Sequence, residues 1–73
     1  QLHEEDLIRL IQGIPNPYRL VFNLFVIEGF SHKEIALRLE MTESTSRSCL
    51  TRAKEFIRKK MEVETKLKVH GYG

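Results

Sequence analysis

The stretch from Thr42 to Lys54 reads "TESTSRSCLTRAK", in which short hydroxyls are interleaved with the long cations Arg47, Arg52 and Lys54. A hydroxyl can donate or accept a hydrogen bond, and a guanidinium offers a planar fork of donors that fits two acceptors side by side. Phosphate oxygens and the edge of a guanine are acceptors of that kind. The set is suited to binding rather than to bond-making. An activated nucleophile needs an adjacent base, and no nucleophile–base pair or glycine-rich phosphate loop stands out in the chain. His3, His32, His70 and Cys49 share no metal-ligand spacing, so no enzyme, cofactor or metal is expected.

Wound as a helix, Ser46, Cys49, Leu50, Ala53 and Ile57 fall on one side. Ser44, Arg47, Ser48, Thr51 and Glu55 fall on the opposite side, with Thr45, Arg52, Lys54 and Arg58 on the flanks. The first set can pack; the second faces outward. Serine and threonine weaken helix propensity. Their small size, however, lets a helix backbone approach a nucleic-acid groove closely, where free amides of a helix start also meet phosphates. Thr42 needs no ligand to explain it, since it caps the helix. A solvated, well-capped helix start is the plain alternative. The alternation of hydrogen-bonding groups with cations at Arg47, Ser48 and Arg52 favours the groove.

Positioning that helix requires others. Leu7, Leu10, Ile11 and Ile14 recur at helical spacing and predict a first helix ending near Gly13 and Pro15. Asn16-Pro17 reads as an N-cap followed by proline at the first helical position, and opens a second helix to Glu28, stopped by Gly29. Ser31-His32-Lys33-Glu34 is a capping box, with Phe30 placed to staple onto Ile35. It starts a third helix to about Leu39 that buries Ile35, Ala36 and Leu39. The fourth helix runs from Thr42 to about Lys60 or Glu62, and residues 63–73 are expected to fray. The fold class is therefore all-α: a small four-helix domain over residues 1–62 containing a helix-turn-helix.

Composition agrees with this. A chain of 73 residues is too small for a deep catalytic cleft. The apolar run from Leu20 to Ile27 is too short for membrane insertion. One cysteine cannot form an internal disulfide, which suggests a reducing, cytoplasmic setting. The start at Gln1 rather than methionine suggests a piece of a longer protein. Net charge is +2, but it is sorted. Before Ser31, Glu4, Glu5, Asp6 and Glu28 outnumber Arg9 and Arg19, whereas from Thr42 onward Lys and Arg outnumber Glu two to one.

The order of these motifs resembles region 4 of sigma-70-type transcription initiation factors, most closely the extracytoplasmic-function group. The likeness covers residues 14–61. It rests on Pro15 with Tyr18-Arg19-Leu20-Val21-Phe22, then Glu28-Gly29-Phe30-Ser31, Glu34-Ile35-Ala36, and Ser44-Thr45-Ser46-Arg47-Ser48 leading to Arg52-Ala53-Lys54. The resemblance implies a bacterial domain that docks on RNA polymerase core and reads the minus-35 element of duplex promoter DNA. By position, Arg47, Ser48, Thr51 and Arg52 match base-reading or nearby phosphate contacts, with Ser44 on the same face. Thr45, Lys54, His32 and Lys33 match backbone contacts. Ser46 stands where many relatives bury valine or isoleucine, so Ser46→Val is expected to raise stability. Thr51 replaces a side chain that is often larger.

The second helix is apolar on more than one face. Either the flanking helices cover both sides, or a patch remains for polymerase or an inhibitory anti-sigma protein. Two other functions fit the residues less well: the DNA-binding domain of a response-regulator-type activator, and a helical module that binds only protein.

Overall fold

A computed structural model describes residues 3–72, with side chains described through residue 62. The described residues form α1 (Glu4–Gln12), α2 (Tyr18–Phe22) continuing into a π-helical turn (Asn23–Ile27), α3 (His32–Leu39) and α4 (Glu43–Tyr72). No strand occurs among them. The all-α, four-helix reading holds.

Each start has a local cause. In α1 the Asp6 carboxylate accepts the His3 amide at 3.4 Å, and the acids Glu4, Glu5 and Asp6 occupy the first turn, where the helix dipole favours negative charge. In α3 the capping box closes in both directions: Ser31 Oγ accepts the Glu34 amide at 3.1 Å, and Glu34 accepts the Ser31 amide at 2.9 Å. Thr42 caps α4, its Oγ1 accepting the Thr45 amide at 3.0 Å. Gly29 stops the second helical segment at φ +80°, a conformation that glycine adopts without a Cβ penalty.

Three expectations need correction. Asn16 is not the cap of α2. Pro17 holds that position without a side-chain bond, and the first amides go instead to the carbonyls of the turn: Arg19 N–H to Pro15 and Val21 N–H to Pro17, each at 3.1 Å. The Arg19 guanidinium ties the same turn to the Gln12 carbonyl at 2.9 Å. Second, the helix expected to run uniformly to Glu28 is α-helical only to Phe22. Beyond that its bonds widen, with Glu28 N–H reaching Asn23 O at 3.0 Å. Third, α4 continues to Tyr72, beyond the end expected near Lys60 or Glu62. Residues 63–70 contain neither glycine nor proline, and Glu62/Lys66 and Glu64/Lys68 have the spacing and order that support a helix. A missing apolar period removes a packing signal, not the helix. The side chains of the tail expected over 63–73 lie outside the described residues.

The core joins α2, α3 and α4 through Val21, Phe22, Ile35, Cys49, Leu50 and Ala53, with Ile14 from the connection after α1 buried among them and Ile11 of α1 packed against the cluster. Leu10 and Ala36 are also buried, while Leu39, Phe30 and Ile57 are partly covered. Helix α4 is the hub, packing chiefly on α2 and α3. Arg38 lies over the Phe30 ring at 4.2 Å and so covers its outer face. The second helix is not covered on both sides. Val21 and Phe22 are buried, but Leu20, Val26 and Ile27 remain exposed, as do Leu7 and Ile8 of α1.

The Glu34 carboxyl is held below the ordinary glutamate range, first by the Ser31 backbone amide and then by the Ser31 hydroxyl. A depressed folded pKa means that its contribution to stability is present above the unfolded value and is lost as pH falls through the folded one. Lowering the pH from neutrality through about pH 4 should therefore reduce the melting midpoint of the parent more than that of Glu34→Gln. Circular-dichroism melts of both proteins check this; parallel loss in the two would show that the cap is not titrating.

Candidate nucleic-acid interface

The structure sorts the residues of α4 as its periodicity demands. Ser46 and Ala53 are fully buried and Cys49 and Leu50 nearly so, while Ser44, Thr45, Arg47, Ser48, Thr51, Arg52 and Lys54 are exposed. Ser44, Arg47, Ser48, Thr51, Arg52 and Glu55 together line one shallow, open concavity on the outward face. Within it Arg47 Nη2 meets Glu43 Oε2 at 3.2 Å. Thr51 Oγ1 donates to the Arg47 carbonyl at 3.1 Å.

The helix-turn-helix geometry comes from the turn at Glu40 and Met41. Glu40 takes the left-handed conformation at φ +55°, donates its amide to Ala36 O and lets Met41 N–H reach Ala36 O at 3.0 Å. That turn brings α4 against α3, so the buried side of α4 packs with Ile35 in the core.

His32 and Lys33 open α3 and are half-buried and exposed, respectively. His32 does more than face outward. Its Nδ1 is 2.8 Å from Ser46 Oγ, and its ring stacks on Phe25 with centroids 4.4 Å apart and planes 21° apart. Sequence reasoning missed this contact. Its traces were a serine on the packed face of α4 and a histidine at the mouth of α3. Burial raises the pKa of the Cys49 thiol, so this side chain is a small hydrophobe of the core rather than a reactive group. Among the described residues no three of His, Cys, Asp or Glu gather as a metal site, and no helix is long and apolar enough to cross a membrane.

The family model described as Sigma-70, region 4 matches residues 4–57, which takes in α1, the helix-turn-helix and the exposed face of α4. The chain belongs to that family. Neither a curated protein nor a solved structure matches it. It is thus a sigma-factor DNA-binding domain, and the family is one of regulators rather than catalysts. In this region 4 domain, α4 is the second helix of the helix-turn-helix, and its polar face is the surface that the fold leaves free.

The expectation that Ser46→Val stabilises this region 4 domain is overturned by the His32 contact. Valine would remove the hydroxyl that pairs with His32 Nδ1 and leave a ring nitrogen against the core. His32 is only partly buried, so Ser46→Val is expected to cost about 1 kcal/mol, the usual net worth of one hydrogen bond. Urea unfolding measures it, and a midpoint at or above the parent's would contradict the bond's importance.

Proposed function

We propose that this domain serves a sigma factor of the extracytoplasmic-function group, reads the minus-35 promoter element in the major groove through α4, and docks on RNA polymerase core in the bacterial cytoplasm to direct initiation. The observation that carries this reading is that the open concavity of α4 is lined by the side chains with base-reading chemistry, within a region 4 family match. Arg47 and Arg52 supply bidentate donors for guanine edges, and Ser44, Ser48 and Thr51 supply short donors and acceptors close to the helix backbone. Thr45, Lys54, Lys33 and the outer edge of His32 take the phosphates on either side. The exposed Leu7, Ile8, Leu20, Val26 and Ile27 support a protein-docking role for α1 and the second helix, open to polymerase or to an inhibitory anti-sigma protein.

Arg47→Ala and Arg52→Ala should each lower discrimination between a promoter and a scrambled duplex by about 1–3 kcal/mol, with the helical spectrum unchanged. Competition binding in the presence of polymerase core measures this. If both variants select promoters as the parent does, another face reads the DNA.

One recognition helix with a handful of phosphate contacts provides only part of the free energy of a full promoter complex. The isolated chain is therefore expected to bind duplex DNA weakly, with little sequence preference and an affinity that falls steeply with salt. Tethering to polymerase raises its effective concentration at the site and supplies the selectivity. Titrations against cognate and scrambled duplexes decide the matter. Tight, selective binding by the chain alone would point to an activator of the response-regulator type; no salt-dependent binding would point to a protein-binding module.

A further inference from the structure

Glu43 stands in the first turn of α4, where an acid is favoured by the helix dipole, so its presence has a structural explanation. That explanation does not account for where its carboxylate goes. It reaches one turn along the helix to Arg47, Oε2 to Nη2 at 3.2 Å, on the face lined by Ser44, Ser48, Thr51, Arg52 and, two turns beyond Arg47, a second acid, Glu55. The Arg47 side chain is largely open to solvent, at 61%, and that of Glu43 partly so, at 44%. The pair is thus weak and available to an incoming ligand.

Consider what each class of acceptor meets there. A phosphate oxygen that approaches the Arg47 guanidinium brings a negative charge to within a few ångströms of the Glu43 carboxylate, and like charges at that distance repel. A guanine edge offers the same two acceptors without net charge. The contact to Glu43 uses a single guanidinium nitrogen, so a fork of donors is left for a base while the pair persists. We infer that Glu43 is a specificity-determining residue: it holds Arg47 in a pair that disfavours engagement with phosphate alone and leaves the neutral edge of a base as the better acceptor. The inference rests on α4 being the DNA-contacting helix, as proposed above.

The test uses the isolated chain and a fluorescently labelled duplex of random sequence, titrated over a range of salt concentrations. Glu43→Gln should raise affinity for this non-specific duplex roughly two- to fivefold, the size set by a solvent-exposed ion pair. The slope of log affinity against log salt should steepen by about 0.9, because Arg47 becomes free to displace a counterion. In an Arg47→Ala background the same substitution should give markedly less gain and no change in slope. A merely structural role for Glu43 at the helix start would lower stability and would not steepen the salt dependence. An equal gain in both backgrounds would show that Glu43 acts as a diffuse charge, and a loss of affinity would show that it orients Arg47 for phosphate; either result overturns the inference while the DNA reading stands. If the parent shows no salt-dependent binding at all, the DNA reading fails and this inference fails with it.

Discussion

A hydroxyl with no exposure to water must find its partner inside the protein, and Ser46 finds His32. The bond spans the two helices of the helix-turn-helix at 2.8 Å and joins the start of α3 to the packed side of α4. Much of the molecule is arranged around it. The capping box of Ser31 and Glu34 fixes where α3 begins, and hence where His32 projects. The π-helical turn carries Phe25 to the ring of His32, so that the imidazole is held by stacking on one side and by a hydrogen bond at its edge. No buried side-chain polar atom among the described residues is left without a partner, as expected where a single polar bond crosses an otherwise apolar core.

Elements announced by local chemistry were legible in the sequence. The Ser31 capping box, the Thr42 cap, the stop at Gly29 and the two faces of α4 all follow from residue types at fixed offsets, and all are present. What escaped was decided at longer range or by more than one competing rule. Asn16-Pro17 looks like a helix start by residue preference, yet the carbonyls of Pro15 and Pro17 satisfy the first amides without a side chain. Nothing in the order Asn23 to Ile27 marks a widened turn, because the pattern is apolar in either register. Ser46 appeared as a packing defect since its partner lies fourteen residues away, on another helix. Of the outward face, the membership of Ser44, Arg47, Ser48, Thr51 and Glu55 could be read from periodicity alone, whereas Arg52, placed on its flank, lines the same concavity. The tie between Glu43 and Arg47 could be read only as a spacing.

Charge adds a second layer to this geometry. Acids cluster at the start of α1 and cations gather along α4, so the field along α4 attracts a polyanion. Steering of that kind is indifferent to sequence. Selectivity has to come from contacts that a phosphate cannot satisfy equally well. The exposed apolar residues Leu7, Ile8, Leu20, Val26 and Ile27 belong to α1 and the second helical segment, and the polar concavity is lined by residues of α4.

The choice of serine at position 46 also bears on how accurately that polar face can be aimed. Cys49, Leu50 and Ala53 are small or flexible apolar groups, and apolar contact is non-directional; alone it would tolerate small rotations and slides of α4 over α3. A hydrogen bond is less tolerant, since it prefers a donor angle above about 150° and weakens steeply below about 120°. Shifting the buried position by one residue would turn the helix by about 100° and carry Arg47 from the open concavity toward the core. A valine at this site would fill space but would not specify rotation. Ser46 gives up some apolar burial and in return adds a directional tie between α3 and α4 to the apolar packing of Cys49, Leu50 and Ala53, on the side of α4 opposite Arg47, Ser48 and Thr51.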